Sequence, residues 1–278
     1  MCNGKQGAIH AATSAAVFLI CTFGCALGAI IAPYVVLTCP SYASSFNLVS
    51  VTVSGSNSGP PQSIVSAPSS MVMYSDIASG RGPAGSSYFN CPTPSSILQA
   101  DVCTLTANAA VLGPTGVALF CLGGLLAAVS ALFTIMRVCR LRENAAAQPN
   151  SVKRAKTCAT RCAATILPSV FSFLLCLGAS IIAWLAIGPL GVFFATGSTH
   201  ACSGGALPTA ATGVGSALAG ALVATSFLGM VLDASCAYAL LLGYGAVFLS
   251  HSSLALSHPQ PTAAAKQSAS QTRQKQPP

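Results

Sequence analysis

A chain of 278 residues with 53% hydrophobic side chains, 6% charged ones and only four acids cannot clothe a soluble core in a solvated surface. Its net charge of +8 invites a nucleic-acid reading, but the basic residues flank apolar runs instead of interleaving with aromatics, so nucleic acid is excluded as a partner. Apolar stretches at 15–37, 113–136, 166–187 and 218–249 are each long enough to cross a hydrocarbon core about 30 Å thick. The expected fold is therefore an all-α membrane protein: a bundle of four transmembrane helices with a long, partly β first outer loop and a disordered tail.

Residues 1–14 form a short N-terminus that carries Lys5. The first span, 15–37, continues well past the roughly 7–15 residues of a signal-peptide core, so it reads as a retained signal-anchor helix. Gly24, Gly28 and Ala32 set small residues four apart along it, a pattern that lets helix backbones approach closely.

The loop at 38–112 alternates Val49, Val51 and Val53 with Ser50, Thr52 and Ser54, the period of a strand with one buried face. Gly55–Pro61 reads as a turn, and Met71–Tyr74 as a second strand. The loop holds Arg81, Asp76 and Asp101 as its only charges and no Asn-x-Ser/Thr sequon.

The second span, 113–136, carries Gly123 and Ala127 as a further small-residue ridge. The connection at 137–165 then holds seven basic residues, Arg137, Arg140, Arg142, Lys153, Arg154, Lys156 and Arg161. Connections rich in Lys and Arg stay in the cytoplasm. With Lys5 and the tail on the same side, eleven of the twelve basic residues share it, which puts both termini in the cytoplasm. Loops 38–112 and 188–217 are then extracellular or luminal.

After the third span at 166–187 and the short loop at 188–217, the fourth span at 218–249 carries Gly220, Ala224 and Asp233. Asp233 is the one acid inside any expected helix, and an acid at membrane depth counts as functional by default. Thr225, Ser226, Gly229, Cys236 and Ala237 share its face, the kind that packs against other helices. No basic residue is expected at its depth, so it reads either as a structural or interfacial residue or as a proton or cation site. Residues 250–278 have no acid and no aromatic, and read as a disordered cytoplasmic tail.

Ala11-Ala12-Thr13 and Leu27-Gly28-Ala29 echo in Ala163-Ala164-Thr165 and Leu177-Gly178-Ala179, and Thr115-Gly116-Val117 echoes in Thr212-Gly213-Val214. These matches fit either a duplicated helical hairpin or chance among Ala/Gly/Leu-rich helices.

Cysteines divide by side. Cys39, Cys91, Cys103 and Cys202 fall on the oxidising side, where pairing is the rule, and four cysteines allow three connectivities. Cys91 with Cys103 and Cys39 with Cys202 make the most reasonable set. Cys2, Cys139, Cys158 and Cys162 stand at the cytoplasmic boundary beside basic residues as palmitoylation candidates. Cys21, Cys25, Cys121, Cys176 and Cys236 read as small packing residues. Neither a catalytic motif nor a metal-ligand set is present, so no catalytic residue, metal or cofactor is expected, and the chain does not read as an enzyme.

Four spans, cytoplasmic termini, a long first outer loop with strands and a cysteine pair, and a short second loop together resemble tetraspan surface proteins of the claudin-like, MARVEL and amastin types. The likeness covers nearly the whole chain and lies in architecture; the tryptophan-glycine element of the claudin-like and amastin loop is missing, the one tryptophan being Trp184 in the third span. It implies a surface or vesicle-membrane protein of the plasma membrane or endomembranes that works through contacts with lipids, another membrane protein or its own copies, with no small-molecule substrate. The alternative is a small transporter or channel subunit using Asp233 and the duplicated hairpin.

Overall fold

A computed structural model describes residues 2–39, 42–55, 69–80, 91, 97–146, 152–196 and 209–257. Helix α1 runs over Cys2–Ile31, and strands β1 to β4 follow at Val35–Thr38, Tyr42–Phe46, Ser50–Gly55 and Ser69–Met73. A short helix α2 at Tyr74–Ala78 precedes the long helices α3 at Ile97–Ala146 and α4 at Val152–Thr196. Strand β5 at Thr209–Thr212 then leads into α5 at Val214–Ser257.

Within α1, α3, α4 and α5 lie four stretches long and apolar enough to cross a membrane: Gln6–Ile31, Ala100–Arg140, Ile166–Phe193 and Val214–Leu240. They suggest a multi-pass membrane protein. Helix α1 packs against α5 and α3, and α4 closes the ring by packing against the same two helices. Consecutive long helices are thus neighbours, and α3 faces α5 across the diagonal.

Helix ends and expected span ends do not coincide. The first span starts earlier than 15 and stops at Ile31, because Pro33 lacks the N–H a helix needs and Val35–Leu37 join a sheet instead. Helix α3 begins at Ile97, inside the expected loop 38–112. Most of 137–165 is helical, α3 lasting to Ala146 and α4 starting at Val152, and the loop 188–217 loses residues to both α4 and α5. Hydropathy marks only the apolar stretch of a helix, and these helices run on past it. Residues 250–257, assigned by composition to the disordered tail, continue α5; residues 258–278 lie outside the described set.

The strands form one antiparallel sheet in the order β4-β3-β2-β1-β5. The alternation at 49–53 does correspond to a strand, β3, and Met71–Met73 lie in β4. Its register aligns Val35, Phe46, Val51 and Val72 across four strands, and Phe46, Val51 and Val72 are buried. Burying one such row is what seats a sheet on an apolar support. Here the support is the middle of α3 and the end of α4, whose Phe120, Ile187 and Leu190 belong to the same buried cluster. Strand β5 is the surprise. It pairs with β1 residue for residue, so a segment from the second loop completes a sheet begun in the first. Thr209-Ala-Ala-Thr212 has no apolar alternation, hence no strand signal of its own. Gly213 next to it lies so close to the Pro33 carbonyl that a Cβ would collide with it, and its N–H bonds Tyr34 O at 2.8 Å.

Tyr74 and Tyr34 are fully buried beneath the sheet, and the Tyr74 hydroxyl donates to the Asn47 carbonyl at 3.0 Å. Burial pushes both phenols above the ordinary tyrosine value of about 10. The folded state therefore holds these protons more tightly than the unfolded chain, and their stabilising contribution is complete below about pH 10 and is lost as pH rises beyond it. Ultraviolet titration should show these phenolates appearing only together with loss of the sheet. Tyr74→Phe should move that transition to higher pH, and an unmoved transition would remove Tyr74 from its cause.

Candidate functional site

The strongest concentration of buried polar groups lies at the end of the bundle away from the sheet. Asp233 is fully buried on α5, about 29 Å below Val214 at about 1.5 Å per helical residue. That distance is close to one hydrocarbon thickness of about 30 Å. The neighbours expected on its face are there: Ser226, Gly229, Cys236 and Ala237 are buried and Thr225 is half-buried.

The expectation that no cation reaches Asp233 is overturned. Arg137 of α3 turns into the bundle and donates from Nη1 to Asp233 Oδ1 at 2.9 Å, with its side chain only 7% exposed. Counting Arg137 as the first residue of a polar connection hid this, because α3 stays helical to Ala146 and carries Arg137 on its inward face. Thr134, three residues earlier and on the same face, lies 3.4 Å from Oδ1. From α4, Ser169 shares its hydroxyl proton between Ile166 O at 2.8 Å and Asp233 Oδ2 at 3.2 Å. Ser130, one turn from Thr134, is also buried, and its Oγ has no hydrogen-bond partner among the described residues. Three helices thus converge on one carboxylate. A sequence signal existed: Ser130, Thr134 and Arg137 stand at helical spacing and extend a small-residue ridge.

Chemically this arrangement holds a charge. A carboxylate that accepts from a guanidinium and two hydroxyls is a satisfied buried ion. No group of three or more His, Cys, Asp or Glu suited to a metal occurs among the described residues.

The small residues divide. Gly28 lies against Leu218 of α5, Gly123 against Cys176 of α4, and Ala127 is fully buried, so these three bring helices of this chain together. Beside Gly123 the Ser172 hydroxyl donates to its carbonyl at 2.8 Å, a bond from α4 to α3. Gly24, Gly220 and Ala224 instead face outward, and a Cβ on either glycine would meet nothing within 4 Å. The repeat motif also parts company with structure. Thr115-Gly116-Val117 lies inside α3, whereas Thr212-Gly213-Val214 spans the end of β5 and the start of α5.

Cys91 and Cys103 form a disulfide with Cα atoms 5.3 Å apart, fastening the segment before α3 to its second turn. Cys39 is also disulfide-bonded; Cys202, its expected partner, lies outside the described residues. Cys139 is exposed and reduced, one residue from the end of the second span. Cys2 falls in α1 and Cys158 and Cys162 in the part of α4 before its span; their side chains lie outside the described residues. Among the expected packing cysteines, Cys176 and Cys236 are buried, while Cys21 and Cys121 face outward. No family model, no curated protein and no solved structure matches the chain.

Proposed function

We propose that this chain is a non-enzymatic tetraspan protein of the plasma membrane or endomembranes, with both termini in the cytoplasm, that acts through protein and lipid contacts made by its outer sheet and helix faces. The observation that carries this reading is the composite sheet. Strands from both outer segments join in one surface, so that surface is assembled before any partner arrives, which lowers the entropy cost of binding. Both edge strands support contact: β5 exposes all four residues of Thr-Ala-Ala-Thr, and β4 exposes Met71 and part of Met73, with no charge in either strand to deter pairing. The outer segment's few charges make recognition by shape and apolar contact the natural mode. Gly24, Gly220 and Ala224, facing lipid, leave room for a second membrane helix. The likeness to claudin-like and amastin surface proteins belongs to this reading and rests on the same sheet and disulfide.

The alternative, a small transporter or channel subunit, draws on the buried polar cluster round Asp233, although that carboxylate already has Arg137 as its counter-ion. One experiment separates the two. A photo-crosslinking residue placed at Met71 or Thr209 should capture a protein in cells, while reconstituted vesicles should pass no ion or solute. Flux abolished by Asp233→Asn, with nothing captured from either edge, would replace the contact reading with the transport one.

A further inference from the structure

The pair of helices α1 and α3 is joined to the pair α4 and α5 at both ends, by ties of different kinds. At the sheet end the tie is backbone: β1 pairs with β5 over four residues, and Gly213 and Gly215 donate to Tyr34 O and Pro33 O at 2.8 Å each. At the other end it is the Arg137–Asp233 ion pair, which reaches across the diagonal from α3 to α5. Among the described residues, the buried apolar cluster towards the sheet includes Tyr34, Leu48, Phe120, Ile187 and Leu190, and the one beyond the ion pair includes Ala8, Ala12, Val138, Cys236, Ala237 and Leu240. A buried ion pair is often no more stabilising than apolar residues in its place, so a tie made of charge is one a bundle can exchange for water.

We propose that Arg137 and Asp233 form a releasable latch that keeps this end of the bundle shut while the sheet end stays fixed. Closed, the pair draws α3 and α5 together against α1 and α4. Released, Arg137 turns outward to the side of α3 where Arg140 is already exposed, and Asp233 keeps the hydroxyls of Ser169 and Thr134, with Ser130 and entering water taking up the rest. A buried pair suits this role because each charge is costly to bury alone, so Arg137 leaves only as water reaches Asp233. The inference is independent of what the outer sheet binds.

Two native thiols test it. Cys236 lies one turn past Asp233 with its Sγ 3.4 Å from the Ala8 carbonyl, inside the buried cluster at this end; Cys176 is buried against Gly123 nearer the sheet. In the purified full-length protein, N-ethylmaleimide capture at each would be followed by peptide mass spectrometry. Asp233→Asn should speed capture at Cys236 roughly ten-fold or more, equivalent to about 1.4 kcal/mol off the opening free energy, with Cys176 unchanged. The exchange Arg137→Asp with Asp233→Arg should restore protection, and Arg137→Leu with Asp233→Leu should protect Cys236 more than the natural pair does. Should Asp233→Asn fail to fold, Thr134→Val with Ser169→Ala keeps both charges and should give a smaller rise at Cys236 alone. An unchanged Cys236 rate, equal acceleration at both thiols, or no recovery in the exchange variant would each overturn the latch.

Discussion

Replacing Arg137 by methionine should cost the folded protein about 3–5 kcal/mol, the penalty for leaving a buried charge without its partner. Asp233 is fully buried, and Arg137 is its one cationic partner among the described residues. Ser169 and Thr134 cannot neutralise it; they donate hydrogen bonds only. Asp233→Leu should cost a similar amount by stranding the guanidinium. The two losses should not add. With both residues apolar nothing charged is buried, and pairs of this kind are often no better than hydrophobic replacements, so the double variant should recover most of the loss or exceed the natural stability. Arg140→Met is the control, since Arg140 is exposed three residues further along the same helix and its loss should fall within about 0.5 kcal/mol. Thermal unfolding of the four variants in one detergent measures the cycle. If Arg137→Met and Arg140→Met behaved alike, the ion pair would contribute nothing to the bundle.

The same pair shows where sequence reasoning reached and where it stopped. The four long helices were legible because lipid demands long apolar runs, and the runs are there. Strand β3 was legible from the alternation at Val49–Val53, and the inward face of Asp233 from the small residues around it. What failed was depth. Hydropathy ends a span at the first cluster of charges, which places Arg137 in a loop, although a helix can carry a charge inward when an acid waits opposite. Long-range pairing was equally hidden. Thr209–Thr212 becomes a strand only because β1 offers an unpaired edge, and no property of four small residues reports that. Gly24 and Gly220 failed for a third reason: a small-residue ridge permits a close approach without saying what approaches.

Two glycine-to-alanine substitutions of identical chemistry should have opposite outcomes. At Gly113 an added methyl would run into the carbonyl of Leu48, with the Leu48 carbonyl carbon 2.9 Å away. That oxygen belongs to the turn between β2 and β3, which is pinned on every side. Asn47 N bonds Ser50 O at 2.8 Å, Tyr74 N bonds Val49 O at 3.1 Å, and the Leu48 side chain is fully buried. A side chain could rotate away from the intruding methyl; a backbone carbonyl fixed by its neighbours cannot. Gly113→Ala should therefore lift the turn, and with it the sheet, from α3, at a cost at or above the 1–3 kcal/mol typical of overpacking. Trimming Leu48 to alanine should not rescue it, because the collision is with main chain. At Gly24, helical and facing outward with open space around it, alanine removes glycine's helix penalty of about 0.8–1.0 kcal/mol and should leave stability unchanged or raised. Limited proteolysis of the sheet segment, alongside thermal unfolding, distinguishes the two sites. Gly113→Ala should expose the 42–55 strands to cleavage at a temperature where the natural protein and Gly24→Ala resist it, and equal resistance in all three would mean that the sheet does not rest on α3 through this contact.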